Sequence, residues 1–305
     1  TEAVHGVALD HRAQGMSRRI AVVGSLNVDR MLRVPRLPAP GETTAATGRS
    51  LSPGGKGANQ AVAAALLGAD VSLIGAVGDD AEGRFLVDAV ATQGVDASGV
   101  MTVPDPTGEA TILVDDGAEN LIVVNGGANL ALDPEHVRSR LSGFDIIVAG
   151  FEVSDPVVEA AAEAALRQDA VFILNPSPYR DLPAIVREAR LVLIVNEQEY
   201  AQARDAEGTL SDSAIIVVTR GARGAAIQRP SGGRPQKVPA PRVTAVDTSG
   251  CGDAFAGALA AALARGDSLE DAVRLGTRVG AYAATRPGTQ TSYPTGEDLS
   301  VPPAG

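Results

Sequence analysis

The sequence "DTSGCGDAFAGAL", residues 247–259, contains three glycines, two aspartates and the only cysteine of the 305-residue chain. Apolar residues recur at every fourth position from Phe255 to Leu263, which predicts a helix that begins near Asp253 and buries one face. The glycines on either side of Cys251 allow close backbone approach, and the first N–H groups of a helix carry about half a positive charge. The stretch therefore predicts an anion-binding turn beside Asp253. The alternative is an ordinary helix N-cap after a glycine turn.

Composition limits the possible partners of the protein. The net charge of −11 argues against non-specific binding of nucleic acid or of anionic membranes, both of which need basic patches. No apolar run approaches the ~18 residues of a membrane-spanning helix, so no membrane partner is expected. A single cysteine excludes an intramolecular disulfide and favours a reducing, cytoplasmic location.

The order of the predicted elements indicates an α/β fold. Short apolar segments that alternate with helical segments predict βαβ units and a parallel sheet buried on both faces. We expect a three-layer α/β/α body with a mainly parallel central sheet over 18–297, an N-terminal extension over 1–17 and a tail over 298–305. The predicted strands are "RRIAVVGS", "VSLIGAVG", "DIIVAGF", "AVFILN", "LVLIVN" and "AIIVVTRG". The predicted helices are "KGANQAVAAALLGAD", "DAEGRFLVDAVATQG", "DPVVEAAAEAALRQ", "LPAIVREAR", "EQEYAQAR", 253–265 and 268–286.

Two segments without helical periodicity, about 28–50 and 107–124, interrupt this alternation. Within 108–127, two apolar runs flank "DDGAEN", which is a hairpin signal. We predict that these segments form a small β-sheet that acts as a lid. In such bodies ligands bind at the carboxyl ends of the strands, where the lid would lie.

Some familiar catalytic and nucleotide-binding motifs are absent. The sequence has no G-x-x-x-x-G-K-[ST], and its first predicted strand ends in "GSLNVD" rather than G-x-G-x-x-G. His5 and His11 lie in the predicted extension and His136 in a helix, which argues against serine–histidine triads and histidine-rich metal sites.

Polar residues follow several predicted strands or begin the helices after them. Asn27 and Asp29 alternate after the first strand, where an amide and a carboxylate suit a polyol; the alternative is a turn. In "SPGGKGANQA", Lys56 and Asn59 are three residues apart and could face one ligand at a helix N-terminus; the alternative is a solvated lysine in a glycine turn. Glu152 also follows a strand and is a weaker ligand candidate.

"NEQE" follows another predicted strand and contains two candidate ligands. Asn196 and Glu199 could hold Mg²⁺ through water. The alternative is the first turn of a helix, where acidic residues are favourable.

Taken in order, these motifs resemble the ribokinase branch of the PfkB carbohydrate kinases from about residue 19 to 294. The resemblance implies phosphoryl transfer from ATP to the primary hydroxyl of D-ribose, giving ribose 5-phosphate. It also implies activation by Mg²⁺ and by a monovalent cation, K⁺, and a homodimer whose lids pair. The motifs are "GSLNVD", "GGKGANQA", "NGGAN", "NPSP", "NEQE", "TRGARG" and "AVDTSGCGDAFAGAL".

The resemblance implies a role for each matching residue. Asp253 would be the catalytic base, and the backbone of Gly250, Cys251 and Gly252 would stabilise the transferring phosphate. The sugar would be held by Asn27, Asp29, Gly55, Lys56, Asn59 and Glu152, with Asp253 beside them. The lid residues over it would be Ala110, Ile112 and Ile122. The nucleotide and its Mg²⁺ would meet Asn196, Glu199, Thr219, Gly221, Gly252 and Thr277. The monovalent cation would meet Asp247, Ser249, Ala283, Arg286, Gly288 and Ser292, several through carbonyl oxygens.

The sequence also departs from the family pattern. The segment from "NEQE" to "TRG" is about fifteen residues shorter than the pattern, which predicts a reduced or lost helix. Cys251 stands where alanine is commoner, and Thr277 where a larger polar side chain is expected near the nucleotide. Because a thiol at a helix N-terminus can have a lowered pKa, we expect Cys251 to be reactive. Alternatives to ribose are deoxyribose, fructose and adenosine, and the other functional class is a sugar sensor without turnover.

Overall fold

A computed structural model describes residues 18–117, 119–205, 214–230 and 232–300. The predicted extension and residues 301–305 of the predicted tail lie outside the described residues. The elements up to residue 140 are β1 (Arg19–Val23), β2 (Asn27–Arg33), β3 (Gly48–Gly54), α1 (Lys56–Leu66), β4 (Asp70–Gly78), α2 (Ala81–Thr92), β5 (Asp96–Val103), β6 (Gly108–Val114), β7 (Asn120–Asn125) and α3 (Pro134–Arg140). Those that follow are β8 (Ile146–Gly150), α4 (Asp155–Gln168), β9 (Val171–Asn175), β10 (Arg190–Asn196), α5 (Glu197–Asp205), β11 (Ile215–Thr219), β12 (Ala225–Gln228), β13 (Gln236–Val238), α6 (Cys251–Arg265) and α7 (Leu269–Ala283).

Strands of the central sheet lie in the order β13-β12-β11-β10-β9-β8-β1-β4-β5. The pairings from β5 to β11 are parallel, and β12 and β13 add antiparallel pairings at one edge. In β1, Ile20 and Val22 pack with α1, α6 and α7, whereas Ala21 and Val23 pack with α3 and α4. Both sheet faces are therefore covered, and the predicted three-layer α/β/α fold is confirmed. No helix among the described ranges is long and apolar enough to cross a membrane.

A second sheet, in the order β3-β2-β6-β7, is built from the two segments that interrupt the sequence alternation. β6 and β7 form the predicted antiparallel hairpin, and β2 pairs with both β3 and β6. This lid sheet joins the body at Gly55, which links β3 to α1 with a φ of 87°. A Cβ there would lie 2.7 Å from the Asn27 nitrogen, so the junction requires glycine.

Strands and helices differ from the sequence prediction at a few places. The strands β5, β12 and β13, at the two ends of the sheet order, were not predicted, because β5 is half exposed and the other two are short. The predicted helix over "LPAIVREAR" is only a 3₁₀ turn, Ala184–Glu188, since β10 begins at Arg190 and leaves no room for a longer helix. α5 ends at Asp205, and residues 206–213, where a helix was expected to be shortened, lie outside the described residues.

α1 and α6 pack closely, and this contact positions the polar residues near the start of both helices. Gly257 of α6 faces α1, and a Cβ there would lie 2.4 Å from the Gln60 carbonyl oxygen and 2.7 Å from the Ala63 Cβ. The contact surfaces of both helices are rich in buried alanine, including Ala61, Ala64 and Ala258. Small side chains therefore let the two backbones approach.

We predict that Gly257→Ala destabilises the protein. Alanine normally favours a helix over glycine by about 1 kcal/mol, but overpacking here should lower the free energy of unfolding by about 1–3 kcal/mol. Thermal unfolding measures the change. Gly252→Ala in the same helix is the control for stability, because a Cβ there would meet no heavy atom beyond its own helix within 4 Å. An unchanged melting temperature for Gly257→Ala would contradict the packing argument.

Candidate active site

Asp253 is a buried carboxylate in the first turn of α6, 5% exposed. Its Oδ2 accepts a hydrogen bond from Asn59 Nδ2 at 3.1 Å, and its Oδ1 accepts one from Gln60 Nε2 at 3.2 Å. Lys56 Nζ lies 3.9 Å from the same Oδ1. These three partners lie on one face of α1, at spacings of three and four residues. A buried carboxylate needs such donors, and α1 supplies them.

Gly250 precedes the helix in a left-handed conformation, with a φ of 69°. Its carbonyl oxygen accepts a hydrogen bond from the Tyr293 hydroxyl at 3.0 Å. The turn therefore leads directly into the first turn of α6, whose first N–H groups lie at the positive end of the helix. The N–H of Cys251 donates to the Thr248 carbonyl oxygen at 3.3 Å. The binding of an anion at this turn remains a prediction.

Asn27 and Asp29 lie in extended conformation in β2, as their alternation predicted. Asn27 Oδ1 accepts a hydrogen bond from Asn129 Nδ2 at 2.7 Å, and Asn129 also exchanges hydrogen bonds with the backbone of Leu26. Asn129 is buried and belongs to the "NGGAN" motif, but the sequence assigned it no role. It anchors the lid sheet at the point where the lid meets the body.

Glu152 lies after β8 and connects the body to the start of α1. Its Oε2 accepts a hydrogen bond from Ser25 Oγ at 2.5 Å and another from the backbone N–H of Lys56 at 3.1 Å. Glu152 and Asn27 line one cavity of about 450 Å³. The sequence-selected polar residues at the strand ends are therefore gathered into one cluster around α1.

The charges in this cluster perturb one another. Burial raises the pKa of Asp29 to about 7, and repulsion from Glu152 and Asp253 adds to the effect. Attraction to Asp253, and more weakly to Glu152 and Glu199, raises the pKa of Lys56 despite its burial. A cluster of carboxylates and amides around an ammonium group can bind several hydroxyls of a polyol, since it offers both acceptors and donors.

The predicted lid residues lie on β6 and β7. Ala110 pairs with Asp29 across β2 and β6, while Ile112 pairs with Ile122 across the hairpin. Ala110 is buried, whereas Ile122 is 54% exposed. Ala110 therefore lies next to the polar cluster, and the covering role of all three residues remains a prediction.

A second cavity, of about 620 Å³, lies on the other side of the α6 N-terminus. Five residues selected from the sequence line it together with the segment 240–245: Thr219, Gly221, Cys251, Gly252 and Thr277. The hydroxyl of Thr277 donates to the Arg274 carbonyl oxygen at 2.8 Å, so this side chain is held to its own helix.

Asn196 and Glu199 form a reciprocal cap at the start of α5. The Asn196 N–H donates to Glu199 Oε2 at 2.9 Å, and the Glu199 N–H donates to Asn196 Oδ1 at 2.8 Å. This geometry is the helix-start alternative for the motif. A role in holding Mg²⁺ remains a prediction, and it involves the oxygens of these same side chains.

Residues predicted to hold a monovalent cation lie in the segment before α6 and in the segment from the last residue of α7 to Ser292. Asp247 joins them, because its carboxylate accepts hydrogen bonds from the N–H groups of Ser249 and Gly288, each at 2.9 Å. The Arg286 guanidinium stacks on the Tyr282 ring at 3.6 Å, which leaves its carbonyl group as the candidate ligand. Ser292 and Ala283 are both fully buried, and Ala283 is the last residue of α7. Carboxylate and carbonyl oxygens suit a hard cation.

Within the described ranges, no group of three or more His, Cys, Asp and Glu side chains could hold a metal ion. Mg²⁺ is commonly held by one or two carboxylates, waters and substrate phosphates, so Glu199 alone would fit that mode of binding.

The expectation that Cys251 has a lowered pKa is wrong. Burial raises the pKa of the thiol to about 11, and repulsion from Asp247 and Asp253 acts in the same direction. The reactivity of the thiol remains a prediction. The side chain is half-buried and packs against the core, consistent with selection for small size.

Sequence reasoning missed two buried glutamines. Gln60 contacts Asp253, and Gln290 Nε2 donates to Asn59 Oδ1 at 3.0 Å. Gln60 lies in the "GGKGANQA" motif directly after Asn59, but the motif indicated no role for it. Gln290 lies in no motif that the sequence analysis identified. Their partners are far away in sequence, so the contacts depend on the tertiary structure.

The mostly parallel α/β/α body has a polar cluster on one side of the α6 N-terminus and a second cavity on the other, so it offers places for two ligands near one carboxylate. The chain belongs to the pfkB family of carbohydrate kinases, whose family model matches residues 17–296. The family expected from the motifs is confirmed, and the protein is a kinase.

Known relatives cover nearly the whole chain. The chain is 33% identical over 300 residues to the ribokinase of Haemophilus influenzae, covering 93% of this chain and 97% of the relative. It is 35% identical over 301 residues to the deoxyribokinase of Salmonella typhi, covering 92% and 97%. The structure of Arabidopsis thaliana ribokinase complexed with ribose and ATP has a TM-score of 0.83 at 27% identity, covering 93% and 98%.

We predict that Asp29→Asn stabilises the protein most strongly above pH ~7. An acid whose pKa rises on folding makes the folded state less stable as the pH increases from about 4 to about 7. Removing the acid should therefore raise the free energy of unfolding by about 2–4 kcal/mol at pH ~8, and by much less near pH ~4.5. Melting temperatures across this pH range measure the gain.

The exposed Asp116, in the turn between β6 and β7, is the matched control for Asp29. Asp116→Asn should leave the pH dependence of the melting temperature unchanged. An Asp29→Asn gain that is equal at both ends of the pH range would contradict a raised pKa.

Proposed function

We propose that the protein transfers the γ-phosphoryl group of ATP to the 5-hydroxyl of D-ribose, giving D-ribose 5-phosphate and ADP. The main observation that supports this proposal is the position of Asp253. Lys56 and Asn59 lie on one side of it, and the cavity lined by Cys251 and Gly252 lies on the other. Asp253 directly follows Gly252, which lines that cavity, so the proposal puts one carboxylate between the sugar and the nucleotide. The ribose and ATP of the Arabidopsis thaliana complex support the same pair of substrates.

The sugar occupies the polar cluster in this proposal. Carboxylates accept hydrogen bonds from sugar hydroxyls, and amides both donate and accept. The binding residues are Asn27, Asp29, Gly55, Lys56, Asn59 and Glu152. Ala110, Ile112 and Ile122 of the lid sheet cover the sugar, which limits access of water to the reacting phosphate.

Asp253 acts as the general base. It accepts the proton of the sugar hydroxyl as the sugar oxygen bonds to the γ-phosphorus, and the bond from phosphorus to the bridging oxygen of ADP breaks. The backbone N–H groups of Gly250, Cys251 and Gly252, at the positive end of α6, stabilise the charge on the transferring group. A general base contributes about 10²–10⁴-fold, and one donor of an anion hole about 3–4 kcal/mol.

Two cations accompany the reaction in this proposal. Mg²⁺ would meet Glu199 through water, with Asn196 beside it, and would supply charge neutralisation of the ATP phosphates. K⁺ would lie between the loops that Asp247 joins, where carbonyl oxygens complete its ligands. Its proposed ligands are Asp247, Ser249, Ala283, Arg286, Gly288 and Ser292. The nucleotide meets Thr219, Gly221, Gly252 and Thr277.

Deoxyribose is the second candidate substrate, because the Salmonella typhi deoxyribokinase is 35% identical to this chain. Fructose and adenosine are further alternatives within the family. The residues proposed to bind the sugar include no aromatic side chain, but Phe151 lines the same cavity as Asn27 and Glu152, so a nucleoside stays an alternative. A sensor without turnover is disfavoured by the presence of Asp253 in the first turn of α6.

We also propose a homodimer formed through the lid sheet. Four consecutive apolar residues of β7 are exposed, from Leu121 (44%) to Val124 (53%). Exposed apolar residues on an edge strand are an unfavourable surface for a monomer. A second copy of the chain would cover them.

We predict that D-ribose is phosphorylated fastest among D-ribose, 2-deoxy-D-ribose, D-fructose and adenosine. A site that binds a sugar hydroxyl should disfavour the analogue that lacks it, because its buried polar groups are then unpaired. ADP formation with Mg²⁺ and K⁺ measures kcat/KM for each substrate. Asp253→Asn in the same assay should lose about 10²–10⁴-fold in kcat.

Fastest turnover on deoxyribose, fructose or adenosine would reject the ribose assignment while leaving the kinase intact. Ribose binding by calorimetry without any ADP formation would instead favour the sensor. Near-normal turnover of Asp253→Asn would reject its role as the base.

We predict that Val123→Asp converts the dimer to a monomer. Val123 is 60% exposed on β7, and an aspartate there would place two like charges at the proposed interface. Sedimentation velocity measures the molar mass. Asp116→Asn, in the adjoining turn, is the control and should remain dimeric. A wild-type protein that sediments as a monomer would disprove the dimer.

A further inference from the structure

Gln60 is a buried amide that directly contacts the proposed base. The side chain is 2% exposed. Its Nε2 donates to Asp253 Oδ1 at 3.2 Å and lies 3.5 Å from Asn175 Oδ1. Both protons of the amide nitrogen are therefore directed at acceptors within the protein.

The direction of this amide is determined by a series of acceptors. The Ile194 carbonyl oxygen can only accept, and Asn175 Nδ2 donates to it at 2.9 Å. Asn175 must then present Oδ1 to Gln60, and Gln60 must present Nε2. The ends of β9 and β10 thereby fix which atom of Gln60 faces Asp253.

The other partners of Asp253 have a second role in the proposed reaction. Asn59 and Lys56 are proposed to hold the sugar, so their contacts with the carboxylate must be shared with the substrate. The amide nitrogen of Gln60 faces only Asp253 and Asn175, so its contact with the carboxylate need not be shared with the sugar. Its hydrogen bond can persist while the sugar enters, reacts and leaves.

We propose that Gln60 is a positioning residue that holds the Asp253 carboxylate in the orientation required to accept the proton of the sugar hydroxyl. The proposal rests on the role of Asp253 as the base. It assigns to Gln60 an effect on turnover without an effect on sugar or ATP binding. A misplacement of a reacting group by about 1 Å can cost about 10²-fold in rate.

Gln60→Met tests the proposal, since methionine is similar in length but offers no donor. We expect kcat to fall about 10–100-fold, with the sugar Kd and the KM values for both substrates within about threefold of wild type. Steady-state kinetics gives kcat and KM, and calorimetry gives the sugar Kd. Melting temperature and circular dichroism establish that the variant is folded.

Gln290→Met is the matched control, because Gln290 is also a buried glutamine but donates to Asn59 rather than to Asp253. Loss of that hydrogen bond should loosen Asn59 and weaken sugar binding, so the sugar Kd should rise more than kcat falls. Gln60→Met should thus lower kcat more than it weakens sugar binding, whereas Gln290→Met should weaken sugar binding more than it lowers kcat. A purely structural role for both would give the same pattern in both variants.

A folded Gln60→Met variant with kcat within about threefold of wild type would overturn the proposal. So would a sugar Kd that weakens as much as kcat falls. If Gln60→Met does not fold, Asn175→Ala decides by the same criteria, because it removes the acceptor that orients Gln60 and leaves all direct contacts of Asp253.

Asp253→Asn separates this proposal from the proposed function. Near-normal turnover of Asp253→Asn would reject the base on which both depend. An inactive Asp253→Asn together with a fully active Gln60→Met would reject only the positioning role.

Discussion

The burial of Asp253 is the constraint on which the site depends. A carboxyl group that is 5% exposed is costly to bury unless hydrogen-bond donors replace the water around it. α1 supplies these donors at successive turns, and α6 presents the carboxylate in its first turn. The hydrogen bonds from Asn59 and Gln60 to Asp253 require α1 and α6 to approach closely. Gly257 and the alanines between the two helices allow this approach, so the packing of the helices also positions Asp253.

The distribution of charge explains how two different ligands can lie close together. In the polar cluster, Asp29, Glu152 and Asp253 surround Lys56, which gives an environment suited to a neutral polyol. An anionic phosphate would be repelled there. On the other side of Asp253, the start of α6 offers N–H groups and a positive helix end. The proposed function accordingly puts the neutral sugar and the anionic nucleotide on opposite sides of Asp253.

Much of the site could be predicted because strand ends and helix starts carry local signals. Asn27, Lys56, Asn59 and Asp253 stand at such positions, and the parallel sheet brings them together. Gln60 gave no separate signal, since a glutamine within a helix is ordinary. The strands β12 and β13 were missed because four and three residues are too few for a periodicity to be recognised. Cys251 was misjudged because its position at a helix start suggested a lowered pKa, whereas burial dominates.

The sequence by itself determined the alternation of strands and helices, the two lid segments and the glycine turn before Asp253. These features follow from periodicity and backbone freedom, which act over a few residues. Only the tertiary structure decided which amides face Asp253, that Asn129 anchors Asn27 and that the Cys251 thiol has a raised pKa. The hydrogen-bond partners and the burial of these residues depend on segments that are distant along the chain. A local sequence pattern therefore cannot predict them.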